Sequence, residues 1–158
     1  MNVTVNENKA TTRIEYELPP FFPWGNWLSV RRQLKSTLDL SGCDGLELQI
    51  KVEKSAQATT LLRLTLSDLS NPVDIGKHGA DETWWFDFED DVLTQANSWQ
   101  TIKAPFNKFT PSYGEGNRKN NYEKDLDKII GTEINLISQS GEHPKGTILI
   151  KSFKPYKN

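Results

Sequence analysis

The chain is short of the residues that most site chemistry needs. It has one cysteine, Cys43, so no intrachain disulfide can form, and the expected state of that thiol is free and buried. It has two histidines, His78 and His143. Both fall in expected loops, and neither has the spacing of a zinc or other transition-metal motif. A Gly-rich phosphate loop and a G-x-S-x-G nucleophile turn are also missing. Charge of one sign is missing too: 19 Lys and Arg face 21 Asp and Glu, for a net charge of -2. That balance gives no field to attract nucleic acid or an anionic membrane. The longest apolar runs are three residues. No segment reads as a membrane-crossing helix or as the core of a signal peptide. The compartment stays open. A cytoplasmic full-length protein fits, and so does an extracellular module cut from a larger multidomain chain.

What the chain does have is period-2 alternation. Leu46, Leu48, Ile50 and Val52 share one face against Glu47, Gln49, Lys51 and Glu53, the pattern of a half-buried strand. Leu62, Leu64 and Leu66 alternate in the same way with Arg63, Thr65 and Ser67. Trp84, Phe86 and Phe88 alternate with Trp85, Asp87 and Glu89, and Ile134 and Leu136 with Glu133, Asn135 and Ile137. Further strands are expected over Thr12 to Leu18, Trp27 to Leu34, Trp99 to Phe106, and Gly146 to Phe153. About eight strands separated by turns predict an all-β fold, an antiparallel sandwich or barrel. At 158 residues, one domain over 1–158 is expected, its first nine polar residues a flexible end or a boundary. Tyr122 to Ile130 carries a loose helical pattern, and Asp91 to Ala96 a turn. Asn71 to Thr83 and Thr110 to Asn121 read as long loops.

Two chemistries compete for the polar faces of these strands. Asp87 and Glu89 share one face about 7 Å apart, given a strand rise of ~3.3 Å per residue. Paired glycosidase carboxylates must flank a scissile bond. Two carboxylates on one wet sheet face do not, so no catalytic residue is assigned and the chain is not expected to be an enzyme. Binding is better supported. The chain carries five Trp, four Tyr and seven Phe. If Trp84, Phe86 and Phe88 point inward, Trp85 points outward beside Asp87. An aromatic ring flanked by Arg, Asp, Asn and Gln is the ordinary logic of a sugar site: the ring stacks on C–H faces and the polar groups bond hydroxyls. Outward positions on other strands supply Arg31 and Gln33, Arg63 and Thr65, and Asn135 and Gln139. Tyr113 sits in an expected loop, from which it either leans over such a face or covers the edge of the core. Trp24 and Trp27 flank Gly25-Asn26, where packing and ligand contact are equally expected.

Three segments carry a resemblance. L-D-L-S-G-C-D-G-L-E-L-Q-I-K, from Leu38 to Lys51, is similar to a stretch of galactose-binding-like β-sandwiches. W-Q-T-I-K-A-P-F-N-K-F, from Trp99 to Phe109, resembles their strand that ends in P-F-x-x-F. I-N-L-I-S-Q-S-G and G-T-I-L-I-K-S-F-K-P-Y, within Ile134 to Tyr156, resemble their closing strand pair. The order along the chain is that of family-eleven carbohydrate-binding modules, and equally of the domain in mitochondrial complex I assembly factors and their bacterial relatives. The resemblance implies an antiparallel jelly-roll sandwich. In the carbohydrate-binding branch it implies a non-catalytic module whose concave sheet holds a polysaccharide such as a β-glucan. The resemblance places Trp85 on the family's aromatic strand; together with the outward positions and the loop tyrosine above, the carbohydrate-binding residues expected are Trp85, Asp87, Arg63, Arg31, Gln33, Asn135, Gln139 and Tyr113. In the assembly-factor branch the sheet would meet a protein partner instead. Relatives often open with an acidic-aromatic segment that can help a structural calcium site, and this chain starts after that point or lacks it. No cofactor is therefore assigned, and a structural calcium ion near Asp39, Asp44 and loop carbonyls is left open.

Overall fold

The computed structural model describes residues 2–8, 11–20, 26–54, 60–69, 81–89, 92–94, 97–112, 124–139 and 143–158. Among these residues ten strands run β1 (Asn2–Asn8), β2 (Thr11–Glu17), β3 (Trp27–Leu38), β4 (Gly45–Lys54), β5 (Thr60–Leu69), β6 (Asp81–Asp87), β7 (Trp99–Pro105), β8 (Thr110–Pro111), β9 (Ile129–Ser138) and β10 (Lys145–Tyr156). They form two five-stranded sheets, in the orders β1-β2-β10-β4-β7 and β3-β9-β5-β6-β8. Every pairing is antiparallel. The expected all-β sandwich is the fold.

The alternation explains the layering. Leu46, Leu48, Ile50 and Val52 of β4 are buried, as are Ile14, Tyr16, Ile148 and Ile150 of the neighbouring strands. They meet Leu28, Leu62, Leu64, Leu66, Trp84 and Leu136 from the other sheet in one hydrophobic cluster. Burying a side chain of this size is worth roughly 1.5–3 kcal/mol, so this layer dominates the stability. Of the residues expected in the core, Phe86 and Ile134 are only partly buried, packed against its margin. The Pro105-Phe106 exit behaves as its aromatics suggest. The Phe106 amide donates to the Asp44 carbonyl at 3.0 Å, a 3-10 turn spans Phe106–Lys108, and Phe106 and Phe109 are both buried.

Three expectations are corrected. The polar N-terminal residues form β1, paired with β2 from Asn2↔Glu17 to Asn8↔Thr11. An edge strand is held by its backbone ladder, and Val3 and Val5 are too weak a pattern to announce it. Among the described residues of the segment with the loose helical pattern, 124–130, helix is limited to a 3-10 turn at Leu126–Lys128, after which Ile129 starts β9. Adjacent β-branched Ile129 and Ile130 favour the strand. Both long loops are shorter than expected at the ends that are described: Asp81 to Thr83 belongs to β6, and Thr110–Pro111 pairs with Trp84 and Trp85 as β8.

The outer faces of the two sheets differ. On the first, ion pairs join Arg13 to Glu15 and Glu53, Lys145 to Glu17 and Lys154 to Glu47. That is a solvated, self-neutralised surface. The outer face of the second sheet carries the aromatic and amide groups.

Candidate functional site

Register fixes what stands beside what on the second sheet. Odd-numbered residues of β3, β9, β5 and β6 share its outer face over the paired stretch. Trp27, Ile137 and Leu61 make one cross-strand row. Ser29, Asn135, Arg63 and Asp87 make the next. Arg31, Glu133, Thr65, Trp85 and Thr110 make the third, and Gln33, Gly131, Ser67 and Thr83 the fourth. Six residues expected at a site, Trp85, Asp87, Arg63, Arg31, Gln33 and Asn135, therefore occupy one face in three adjacent rows. Gln139 is exposed but lies beyond the end of β9, six residues along the chain from Glu133, so it is remote from the Trp85 row. Tyr113, like Trp24 and His78, lies outside the described residues.

The chemistry of this face is largely internal. The Arg63 guanidinium lies over the Trp85 ring, 4.1 Å from its centroid, and grips Asp87 with two hydrogen bonds of 2.5 and 2.9 Å. One face of Trp85 is thus already stacked. Arg31 pairs with Glu133 at 3.3 Å. Asn135 is buried; its amide donates to Thr65 Oγ1 at 2.8 Å and its carbonyl accepts from Ser29 Oγ. Asn135 is a strut between strands more than a free donor. Gln33 is exposed and donates to the Ile130 carbonyl at 3.1 Å.

The aromatic that stands clear is Trp27, 52% exposed, beside Ile137. Its base is fixed by Asn26, whose amide donates to the Ser138 carbonyl at 2.8 Å while the Ser138 amide donates back at 3.1 Å. The parity of Trp27 with Ser29, Arg31 and Gln33 was the available signal for placing it on this face. Trp27 and Trp85 are two rows and three strands apart, about 20 Å by sheet spacings. Between them stand Ile137 and Leu61, Asn135 and Arg63, and Glu133 and Thr65, while the small residues Ser67 and Gly131 lie one row beyond Trp85. A second exposed ring, Trp99, lies on edge strand β7 of the charged sheet, with Lys151 Nζ 5.9 Å from its centroid.

A second polar cluster went unforeseen. Asp68 and Glu82 are register partners on the inner face of β5 and β6, and both are buried. Asp68 Oδ2 accepts from Trp84 Nε1 at 2.9 Å and from the Asp125 amide at 3.0 Å. Burial pushes the Asp68 carboxyl up to about 6, against the pull of those two hydrogen bonds, with the Glu82 and Asp125 charges adding to the rise. Lys124 is nearby. Burial lowers its pKa and the Asp68 charge opposes that. Its amine donates to the Phe106 and Phe109 carbonyls.

The groups considered for a metal ion are otherwise engaged. Asp39 Oδ1 accepts from the Ser41 amide and hydroxyl at 2.9 and 2.7 Å, and Asp44 Oδ2 accepts from the Asn158 amide at 2.7 Å. Those two bonds from Ser41 lower the Asp39 pKa. Among the described residues, no three His, Cys, Asp or Glu side chains are grouped to hold a metal. Among the described residues, no helix is long and apolar enough to cross a membrane.

Solved structures with this architecture include carbohydrate-binding modules. A family 11 module from Clostridium thermocellum, in complex with a β-1,3-1,4-mixed-linked tetrasaccharide, superposes with a TM-score of 0.63 at 17% identity over 99% of this chain and 82% of that one. A family 30 module gives 0.62 at 15% identity over 99% and 75%. A module specific for non-crystalline cellulose gives 0.54 at 12% over 98% and 79%. Identities this low establish the jelly-roll fold. No curated protein matches the sequence. A family model does, over residues 24–146, from just before β3 to the start of β10. By that match the chain belongs to the Complex I intermediate-associated protein 30 (CIA30) family.

Proposed function

We propose that this chain is a non-catalytic carbohydrate-binding domain whose glycan face is the outer surface of β3, β9, β5 and β6. The observation that carries the reading is Trp27: an indole 52% exposed on a sheet face, held at its base by the Asn26–Ser138 bonds. A rigid ring beside hydroxyl and amide groups suits a sugar's C–H face. Both arginines of the central rows are paired with carboxylates. That favours a neutral polysaccharide over an acidic one. A β-glucan is the first candidate, because one structural neighbour holds a mixed-linked β-glucan tetrasaccharide. The concavity expected of this face belongs to the same reading. Asp87 is committed to Arg63, which supports binding without hydrolysis.

The family match favours a second reading, a scaffolding domain of the complex I assembly type that docks a protein. A glycan array with the purified chain separates the two. Retention on neutral β-glucans, lost in Trp27→Ala, supports the first. A blank array favours the second.

A further inference from the structure

We infer that Ser67 and Gly131 form a dedicated hydroxyl-binding subsite in the floor of this face, covered by Gln33 when no ligand is bound. The inference rests on the proposed glycan-binding reading and names a specificity-determining residue within it. Ser67 is fully buried, yet it lies on the outer face of β5, one row from Trp85 and opposite Gly131. Its Oγ has no hydrogen-bond partner. A buried hydroxyl left unpaired is costly, and alanine would avoid the cost. The residue that faces it across the strand pair leaves room. Gly131 lies in β9, and the nearest atoms a methyl group there would meet are the Arg32 carbonyl at 3.4 Å, Gln33 Oε1 at 3.7 Å and Arg31 Nε at 3.9 Å, ordinary contacts. Glycine in a strand interior marks a place where something else comes close to the backbone.

Gln33 is that something in the free protein. Its side chain lies over Gly131, is exposed, and donates one hydrogen bond, to the Ile130 carbonyl. Swinging it aside uncovers the Gly131 backbone, the register partner of Ser67 across the strand pair. A serine hydroxyl both donates and accepts, and the amide of Gln33 can do the same from above. The group that matches this set is an uncharged hydroxyl or hydroxymethyl. A carboxylate would compete with Glu133 for Arg31, the cation in the adjacent row.

The test is calorimetric titration with a β-1,3-1,4-mixed-linked glucan tetrasaccharide, with thermal melts in parallel. Ser67→Ala should weaken binding roughly fivefold or more, the effect of one lost hydrogen bond, while its Tm stays level or rises. A purely structural serine would not lose affinity while keeping or gaining stability. Gly131→Ala keeps the hydroxyl but fills the space beside it, and should weaken binding similarly with the fold intact. Trp27→Ala serves as the reference for the glycan face. If Trp27→Ala weakens binding while Ser67→Ala and Gly131→Ala stay within twofold of wild type, the subsite is wrong and the glycan reading stands. If wild type binds no tetrasaccharide, the glycan reading fails and the subsite with it.

Discussion

Trp84 and Asp68 are joined across β5 and β6 by a buried hydrogen bond, indole Nε1 to carboxylate Oδ2 at 2.9 Å. The same oxygen takes the Asp125 amide, so one carboxylate links the core aromatic to the segment that leads into β9. Its pKa is pushed up to about 6 from 3.8, chiefly by burial. In the fold the group holds a proton at pH values where the unfolded chain has released it. The contribution to stability is therefore full below about pH 4 and is lost as pH rises through about 6. Asp68→Asn keeps an acceptor for both donors and does not ionise. Its stability relative to wild type should climb between pH 4 and 7, read from urea melts at each pH. A difference that stays flat across that range would contradict the assignment.

Lys124 donates to two carbonyls, those of Phe106 and Phe109, and stands 5.1 Å from the Trp84 ring centroid. Lys124→Met keeps much of the apolar stem and removes the donor. It should cost about 1–3 kcal/mol, the penalty for leaving buried acceptors unpaired. Chemical denaturation at pH 7 measures it, and a loss below 0.5 kcal/mol would show that water replaces the amine.

Gly45 starts β4 under Tyr156. A Cβ there would lie 2.5 Å from the Ala104 carbonyl oxygen and 2.8 Å from the Tyr156 hydroxyl. Backbone on a neighbouring strand does not yield easily. Gly45→Ala should destabilise by about 1–3 kcal/mol, as overpacking does. A Tm equal to wild type would mean that β7 and β10 shift freely at that end.

Arg63 and Trp85 should be energetically coupled. A guanidinium on an indole, fixed by a carboxylate, is worth about 0.5–1 kcal/mol at a partly exposed site. A double-mutant cycle on Arg63→Ala and Trp85→Ala isolates that term. Additive losses would show the stack to be incidental. The stack also bears on glycan binding. With one face of its ring covered, Trp85 should contribute less affinity than Trp27.

The layering of the fold was legible because the apolar spacing in β4 and β5 is strict. Leu46 to Val52 and Leu62 to Leu66 could face only one way. The Trp84-Trp85-Phe86 run left both parities open, because all three are aromatic; the structure buries Trp84 and leaves Trp85 half-buried. β1 was not legible, since an edge strand of Asn, Thr and Val asks little of its side chains. The site was legible as a face but not as a set of contacts. Parity places Arg63, Asp87, Arg31 and Asn135 together, yet it cannot say that each arginine pairs with the carboxylate beside it in its own row or that Asn135 is consumed as a strut. Asp68 and Glu82 share the inward parity of Leu66 and Trp84. A charged residue on an inward position is easily read as the end of a strand, because its hydrogen-bond partners come from elsewhere in the chain.

The central claim is that the outer face of β3, β9, β5 and β6 binds neutral glycan through Trp27. The most direct measurement is titration calorimetry of wild type and Trp27→Ala with a β-1,3-1,4-mixed-linked glucan tetrasaccharide. The account predicts saturable binding by wild type and about tenfold weaker binding by Trp27→Ala, since ~1.4 kcal/mol of stacking is tenfold in affinity, with Tm little changed because the ring is half-exposed. Equal affinity in both proteins, or no binding by wild type, would contradict it.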